Sequence, residues 1–223
     1  MKANTLGKRI LIIGASRGIG LGFAEIFSTN GWEVHATVRD EAGEQKLNRL
    51  SSQVISHRMD VRNGKEISQV ATNLKNKPLD ILLHNAGVYG KGMNKKDVLE
   101  INSIAPFNVV RKLLPLVLKS SKKTIALLTS QMGARNGGAT PSDIYGESKC
   151  ALNDSFREVE TSWRSQGVTA VVFHPGWVAT DMGGRSAPIS VKNSVRGMYH
   201  VLEQLKPAQS GSFLTWEGKK HPW

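Results

Sequence analysis

Residues 9–20 read Arg-Ile-Leu-Ile-Ile-Gly-Ala-Ser-Arg-Gly-Ile-Gly, an apolar run followed at once by a glycine-rich turn. The four consecutive aliphatic residues predict a strand that is covered on both faces. After the turn, Leu21, Ala24 and Phe27 recur at helical spacing. Glycine permits close backbone approach, and a helix N-terminus directs N–H groups toward an anion. We therefore expect a phosphate-binding turn here, with a tight turn that binds nothing as the alternative.

Similar apolar runs recur along the whole chain, separated by amphipathic stretches. They predict strands at residues 9–13, 33–38, 54–57, 79–83, 124–128, 168–174 and 211–215. Strands that alternate with helices favour an α/β protein with a parallel sheet and helices on both faces. No linker rich in proline, serine or glycine divides residues 1–223, so we expect a single domain. Ligands of such sheets bind at the carboxyl ends of the strands.

Composition excludes several classes of protein. A lone cysteine, Cys150, cannot form an internal disulfide, and the six histidines show no metal-binding spacing, so no metal is expected. The apolar runs are too short to span a bilayer, and residues 1–9 lack the apolar core of a signal peptide. We expect a soluble, cytoplasmic protein that does not bind membranes.

The net charge of +12 permits either nucleic acid or a phosphorylated cofactor as a partner. The second predicted strand ends in Thr37-Val38-Arg39-Asp40, beside the expected phosphate-binding turn. Arg39 could hold the 2′-phosphate of an adenosine ribose, and Arg17 could reach it from the turn. Asp40 could instead face a free 2′-hydroxyl. The residues therefore favour NADP(H) over NAD(H), with that alternative open.

Ordered landmarks along the chain resemble the single-domain short-chain dehydrogenase/reductase family. They are Gly14-x-x-x-Gly18-Ile19-Gly20, Asp60-Val61, Asn85-Ala86-Gly87, Asn102, Ser130, Tyr145-x-x-x-Lys149 and Pro175-Gly176. The segment from His174 to Gly184 is most similar to the branch of C-factor and sniffer-like carbonyl reductases. The resemblance implies a Rossmann fold, a doubly wound parallel sheet of about seven strands. Ile13 departs from the family, in which threonine is common at that position.

The resemblance implies that Tyr145 is the general acid or base of the family's reaction. Tyr145 and Lys149 are four residues apart on a predicted helix, so their side chains share one face. A free phenol has a pKa near 10 and is a poor acid at neutral pH. We expect the Lys149 ammonium, together with an oxidised nicotinamide, to lower the pKa of Tyr145. By resemblance, Lys149 also binds the nicotinamide ribose.

Two further residues complete the catalytic set that the resemblance implies. Ser130 would hold the substrate carbonyl by a hydrogen bond, with Thr129 as the alternative if the register slips by one residue. Asn102 would hold a water that connects Lys149 to solvent, and an asparagine in the middle of a helix is otherwise unfavourable.

The cofactor site that follows from the turn and the resemblance spans most of the chain. Asp60 would accept from the adenine amino group, and Thr180 would bind the nicotinamide carboxamide. The full set is Gly14, Ser16, Arg17, Gly18, Ile19, Gly20, Arg39, Asp60, Val61, Asn85, Ala86, Gly87, Tyr145, Lys149, Pro175, Gly176, Val178 and Thr180.

These features lead to one hypothesis and two alternatives. The first is an NADPH-dependent reductase that moves hydride between nicotinamide and an aldehyde, ketone or alcohol. The second is a non-catalytic NADP(H)-binding sensor or signalling protein of C-factor type. Nucleic-acid binding is not expected, because no recognised motif or aromatic platform accompanies the charge. Family members usually pair through the helices that hold Asn102 and Tyr145, so the resemblance implies a homodimer or homotetramer.

Overall fold

The computed structural model describes residues 7–75, 77–136 and 143–223. Seven parallel strands form one sheet in the order β3-β2-β1-β4-β5-β6-β7. The strands are β1 Arg9–Ile13, β2 Glu33–Val38, β3 Val54–Arg58, β4 Ile81–His84, β5 Thr124–Leu128, β6 Thr169–His174 and β7 Ser212–Thr215. The doubly wound α/β sheet that the sequence predicts is thereby confirmed.

The helices cover both faces of this sheet. They are α1 Gly18–Thr29, α2 Glu41–Asn48, α3 Gly64–Asn73, α4 Lys95–Leu99, α5 Ala105–Val117, α6 Ile144–Ser165 and α7 Val191–Gln204. Successive side chains of a strand point to opposite faces, so each strand serves two cores. Ile10 and Ile12 of β1 pack with α1 and α7, whereas Leu11 and Ile13 pack with α3, α5 and α6.

Three strands, β4, β6 and β7, begin one or two residues later than their apolar runs predict. The largest difference is at β4, whose run starts at Leu79 but whose first residue is Ile81. The preceding residue, Asp80, is held by neighbouring groups. Its carboxylate accepts from the Arg9 backbone N–H at 2.7 Å and from the Ser120 hydroxyl at 2.5 Å. Among the residues that the structure describes, no helix is long and apolar enough to cross a bilayer.

The order of the strands sets the position of the functional cleft. Strand β1 lies between β2 on one side and β4 on the other. The chain therefore changes the direction in which it adds strands, and the sheet has a switch point at the carboxyl end of β1. Open α/β sheets bind their ligands at such a point, because the diverging loops leave a crevice there. The glycine-rich turn after β1 borders this crevice.

Three histidines whose pKa the fold lowers strongly make the protein sensitive to acid. Burial lowers the pKa of His84 to about 3 and the pKa of His57 and His174 to about 4, from the usual 6.5. As the pH falls below about 6.5, these histidines bind protons in the unfolded chain but not yet in the folded chain. We expect the free energy of unfolding to decrease toward pH 4, by up to about 1.4 kcal/mol per pH unit for each histidine.

Urea unfolding between pH 7 and pH 4 measures this loss of stability. The variant His57→Gln should show a shallower pH dependence than the wild-type protein, because it lacks one of the three buried titrating groups. The exposed His200 provides the matched control, and His200→Gln should leave the slope unchanged. Equal slopes for the wild type and His57→Gln would contradict the assignment.

Candidate active site

The turn between β1 and α1 requires glycine for steric reasons. A Cβ on Gly14 would lie 2.8 Å from the Cα of Ala86, and a Cβ on Gly20 would lie 2.0 Å from the Gly14 carbonyl oxygen. Gly14 and Gly18 also have positive φ values of 84° and 53°, which side chains disfavour. The turn is therefore packed directly against the loop after β4, and its backbone faces the crevice.

Neighbouring strands hold this turn by hydrogen bonds. The Gly14 N–H donates to the Thr37 hydroxyl at 2.9 Å, and the Asn85 side-chain amide donates to the Gly14 carbonyl at 2.5 Å. Ile13 is fully buried in an apolar core. The polar support that a threonine at position 13 would offer the turn comes here from Thr37, on the adjacent strand.

A cleft of about 580 Å³ runs along the carboxyl ends of the strands. Most of the predicted cofactor residues line it: Gly14, Ser16, Arg17, Gly18, Ile19, Arg39, Asp60, Val61, Asn85, Ala86, Gly87, Tyr145, Lys149, Pro175 and Thr180. Three others, Gly20, Gly176 and Val178, lie behind the lining. A Cβ on Gly176 would meet Ile189 at 2.4 Å, so this glycine has a packing role.

One end of the cleft carries positive charge. Arg39 is exposed at its rim, and Lys46 and Arg62 also line it, although the sequence analysis did not select them. Lys46 lies on α2, eight residues past the end of β2, so only the folded helix brings it to the cleft. Asp40 is the N-cap of α2, and its carboxylate accepts from the Gly43 N–H at 2.8 Å.

Two of the predicted cofactor residues are in ion pairs. Arg62 contacts the Asp60 carboxylate at 2.9 Å, and this hydrogen bond holds the pKa of Asp60 below its usual value. Arg17 lies 3.1 Å from Asp181, and both side chains are largely exposed. An exposed pair of this kind is weak, so Arg17 can exchange its partner at little cost.

At the other end of the cleft, Tyr145 meets Ser130. The Ser130 side chain lies close enough to the Tyr145 phenol to lower its pKa, and the Ser130 hydroxyl also accepts from the Met132 N–H at 3.1 Å. Thr129, the alternative to Ser130, donates instead to the side chain of Asn153 at 2.7 Å. The structure therefore brings Ser130 to Tyr145 and turns Thr129 toward the middle of α6.

The pKa of Tyr145 differs from the expected direction. Burial raises it to about 12, while the hydrogen bond from Ser130 opposes the rise. Lys149 lies with its Nζ atom 5.8 Å from the centre of the Tyr145 ring. In the protein alone, the desolvation of the phenolate outweighs the favourable effect that we expected from this ammonium.

Lys149 is buried, and one backbone carbonyl fixes its amino group. Its Nζ donates to the Leu128 carbonyl oxygen at 2.9 Å, and burial lowers its pKa to about 8. Gly87 lies beside it, since a Cβ there would be 3.5 Å from Nζ and 3.1 Å from Asn102 Oδ1. The absence of a side chain at Gly87 keeps the space around the amino group open.

Asn102 lies in a π-helical turn, Glu100–Ile104, between α4 and α5. Pro106 cannot donate to the Asn102 carbonyl as an α-helix would require, and this favours the wider turn. The Asn102 side chain accepts from the Val88 N–H at 2.9 Å and donates to the Val88 carbonyl and to Ser148 Oγ. It therefore ties the loop after β4 to α6.

Thr180 faces the glycine turn across the cleft. Its methyl group would lie 3.3 Å from a Cβ on Gly18, and its hydroxyl accepts from the Gly183 N–H at 3.0 Å. The Trp177 indole donates to the Gly183 carbonyl at 2.8 Å, so the segment after β6 is folded back on itself. Among residues 7–75, 77–136 and 143–223, no group of three histidine, cysteine or acidic side chains could hold a metal.

The site residues fit a nicotinamide dinucleotide by their chemistry. Glycines at the helix N-terminus suit a pyrophosphate, the basic rim suits a further phosphate, and the Tyr145–Ser130 pair suits a carbonyl group. Lys149, with its amino group in the lining of the cleft, can donate to a sugar hydroxyl. The glycine turn, the basic rim and the Tyr145–Ser130 pair all lie along one continuous crevice.

Comparisons with known proteins agree with this geometry. The C-signal of Myxococcus xanthus is 38% identical over 165 residues, which are 69% of this chain and 98% of that protein. The structure of carbonyl reductase Sniffer of D. melanogaster superposes with a TM-score of 0.87 at 27% identity, over 97% of this chain and 99% of that one. An NADPH-bound carbonyl reductase from chicken fatty liver gives 0.88 at 32%, over 97% and 94%.

The sequence profile of the short chain dehydrogenase family matches residues 8–188. This span begins just before β1 and includes the glycine turn, Ser130, Tyr145, Lys149 and the segment after β6. The resemblance seen in the sequence is thereby confirmed. The chain belongs to the short-chain dehydrogenase family of oxidoreductases.

Proposed function

We propose that this protein reduces an aldehyde or ketone with NADPH, and that Tyr145 donates the proton. The observation that carries the proposal is that Tyr145 and Lys149 line one end of a cleft that also holds the glycine turn, with Ser130 beside the Tyr145 phenol. A signalling role that needed only the bound dinucleotide would have no use for the hydroxyl pair.

Ser130 and Tyr145 have different roles in the proposed reaction. Ser130 donates a hydrogen bond to the substrate oxygen and holds the carbonyl for attack. Tyr145, protonated at neutral pH because its pKa is about 12, gives its proton to the same oxygen. When bound, the cofactor supplies the hydride and, once oxidised, a positive charge that favours the phenolate.

Lys149 and Asn102 support the proton donor. The Lys149 amino group, fixed on the Leu128 carbonyl, stabilises the phenolate that proton transfer leaves and binds the nicotinamide ribose. Asn102 holds the loop after β4 against α6 and so keeps Gly87 beside that amino group. A water held at Asn102 would return the proton from solvent.

A carbonyl-compound screen tests this function. Purified protein is mixed with NADPH or NADH and with a panel of aliphatic and aromatic aldehydes and ketones, and the loss of reduced-cofactor absorbance is followed. Turnover with at least one carbonyl compound is expected. Tight NADPH binding without turnover across the panel would favour the second candidate function, a cofactor-binding signalling protein. The similarity to the C-signal supports that candidate.

We further propose a preference for NADPH over NADH, set by Arg39. Asp40 is already engaged as a helix cap, and the basic residues Arg39 and Lys46 border the cleft where β2 ends. A hydrogen bond to a charged group contributes about 1.5–3 kcal/mol, which corresponds to roughly 10–100-fold in affinity. Arg39→Ala should therefore weaken NADPH binding by about that factor and leave NADH binding nearly unchanged.

Fluorescence titration with each cofactor measures this selectivity. Arg49, an exposed arginine at the end of α2 that does not line the cleft, supplies the control variant Arg49→Ala. Equal losses for NADPH and NADH in Arg39→Ala would show that the arginine does not recognise the 2′-phosphate.

A further inference from the structure

Tyr89 lies outside the set of residues described above, yet its ring touches the proposed proton donor. It belongs to the loop between β4 and α4, and nearly half of its surface is exposed, which is unusual for so large a ring. The loop is fixed next to it, because Gly90 has a φ of 90° and a Cβ there would lie 2.7 Å from Val98. The backbone next to Tyr89 therefore has a defined conformation.

Two contacts connect Tyr89 to the helix that carries Tyr145. The two phenol rings stack with their centres 5.1 Å apart and their planes at 30°. The Tyr89 hydroxyl donates to Asp143 Oδ2 at 2.9 Å, and Asp143 Oδ1 accepts from the Gly146 N–H at 2.7 Å as the N-cap of α6. The ring of Tyr89 is thus tied to the same helix start that positions Tyr145.

We propose that Tyr89 is a positioning residue for Tyr145, tied in place by Asp143, and that its exposed ring face forms a wall of the substrate site. This inference rests on the proposed function. One face of the Tyr145 ring is covered by the stack, so the phenol keeps the orientation in which its hydroxyl meets Ser130.

The arrangement also places one negative charge near the phenol. The Asp143 carboxylate raises the pKa of both Tyr89 and Tyr145. The opposing positive charge is Lys149 on the same helix, 5.8 Å from the Tyr145 ring centre. Farther out, Lys95 of α4 forms a 2.7 Å ion pair with Glu147, and both are exposed.

Two substitutions of Tyr89 separate its ring from its hydroxyl. Tyr89→Phe keeps the stacked ring, whereas Tyr89→Leu removes it. Misplacement of a reacting group by about 1 Å can cost on the order of 100-fold, so we expect kcat/KM to fall at least about tenfold in Tyr89→Leu. Tyr89→Phe should recover most of that loss, and NADPH affinity should be the same in both variants.

Substitution of the carboxylate tests the link to Tyr145 without loss of the cap. Asparagine is as good an N-cap as aspartate, so Asp143→Asn keeps the helix start, removes the negative charge and replaces the oxygen that accepts from the Tyr89 hydroxyl with an amide donor. The alkaline limit of carbonyl reduction should then move to lower pH, because a phenol with a lower pKa loses its proton earlier. Asp154→Asn, on the exposed side of α6 in a pair with Arg135, is the matched control and should not move the limit.

A readout that needs no turnover separates this inference from the proposed function. With tyrosine labelled by ¹³C at Cζ, the Tyr145 resonance is assigned by its absence in Tyr145→Phe and titrated upward from neutral pH. Ionisation of Tyr145 should begin at lower pH in Asp143→Asn than in the wild type or Asp154→Asn. An unchanged titration in Asp143→Asn, or a folded Tyr89→Leu that turns over like Tyr89→Phe, would overturn the inference. Absence of turnover in the wild type alone would instead count against the proposed function.

Discussion

Replacement of Tyr145 by phenylalanine is expected to lower kcat for carbonyl reduction by at least about 100-fold, the smaller end of what a general acid contributes. The variant keeps the ring that stacks on Tyr89 and loses only the hydroxyl that meets Ser130. NADPH affinity should be unchanged, because the glycine turn and the basic rim are at the far end of the cleft.

The three tyrosines of the chain allow a matched control. Tyr199 is buried against Phe27 in the core between α1 and α7, away from the cleft. Tyr199→Phe should therefore keep full turnover. Steady-state kinetics and fluorescence titration with NADPH measure both properties in both variants. A Tyr145→Phe protein with wild-type kcat would refute Tyr145 as the proton donor.

Replacement of Gly20 by alanine is expected to abolish detectable cofactor binding. The added Cβ would lie 2.0 Å from the Gly14 carbonyl oxygen and 2.6 Å from the Asn85 amide. Both neighbours belong to the glycine turn and its support, so the turn must move. Such overpacking costs typically 1–3 kcal/mol and occasionally more, and the expected loss of stability is on the order of 3 kcal/mol.

Two further glycines make this prediction decisive even if Gly20→Ala unfolds. Gly18→Ala adds a Cβ 3.3 Å from the Thr180 methyl group, a tight contact, at a positive φ of 53°, and should fold while binding NADPH more weakly. Gly64, at the start of α3, has nothing within 4 Å of an added Cβ. Gly64→Ala should leave binding unchanged. Wild-type affinity in both Gly18→Ala and Gly20→Ala would exclude the turn as the phosphate site.

The strands were predictable because parallel strands buried on both faces need continuous apolar runs. The run at residues 9–13 coincides with β1, and that at residues 124–128 with β5. The start of β4 was not predictable from the run alone. Asp80 is 71 residues from its partner Arg9 and 40 residues from its partner Ser120, and such contacts exist only after folding.

In the candidate site, too, some features follow from local sequence and others exist only in the folded protein. The glycine turn and the Tyr145–Lys149 spacing are local patterns, so the sequence revealed both. Lys46 and Tyr89 carry no motif. Helix α2 brings Lys46 to the cleft, and the loop after β4 brings Tyr89 against Tyr145. The choice between Ser130 and Thr129 was resolved only by the structure. After the end of β5, the Ser130 side chain lies at Tyr145, and the Thr129 hydroxyl lies at Asn153.

Residue types at short, regular spacing were enough to identify the class of fold, the glycine turn and the family. The electrostatics of the site, in contrast, come from the tertiary structure. It engaged Asp40 as a helix cap, placed Asp143 and Tyr89 against Tyr145, and raised the pKa of that phenol by burial. A pKa depends on the desolvation and charges that the whole fold assembles around a group, and residues distant in the chain supply most of them.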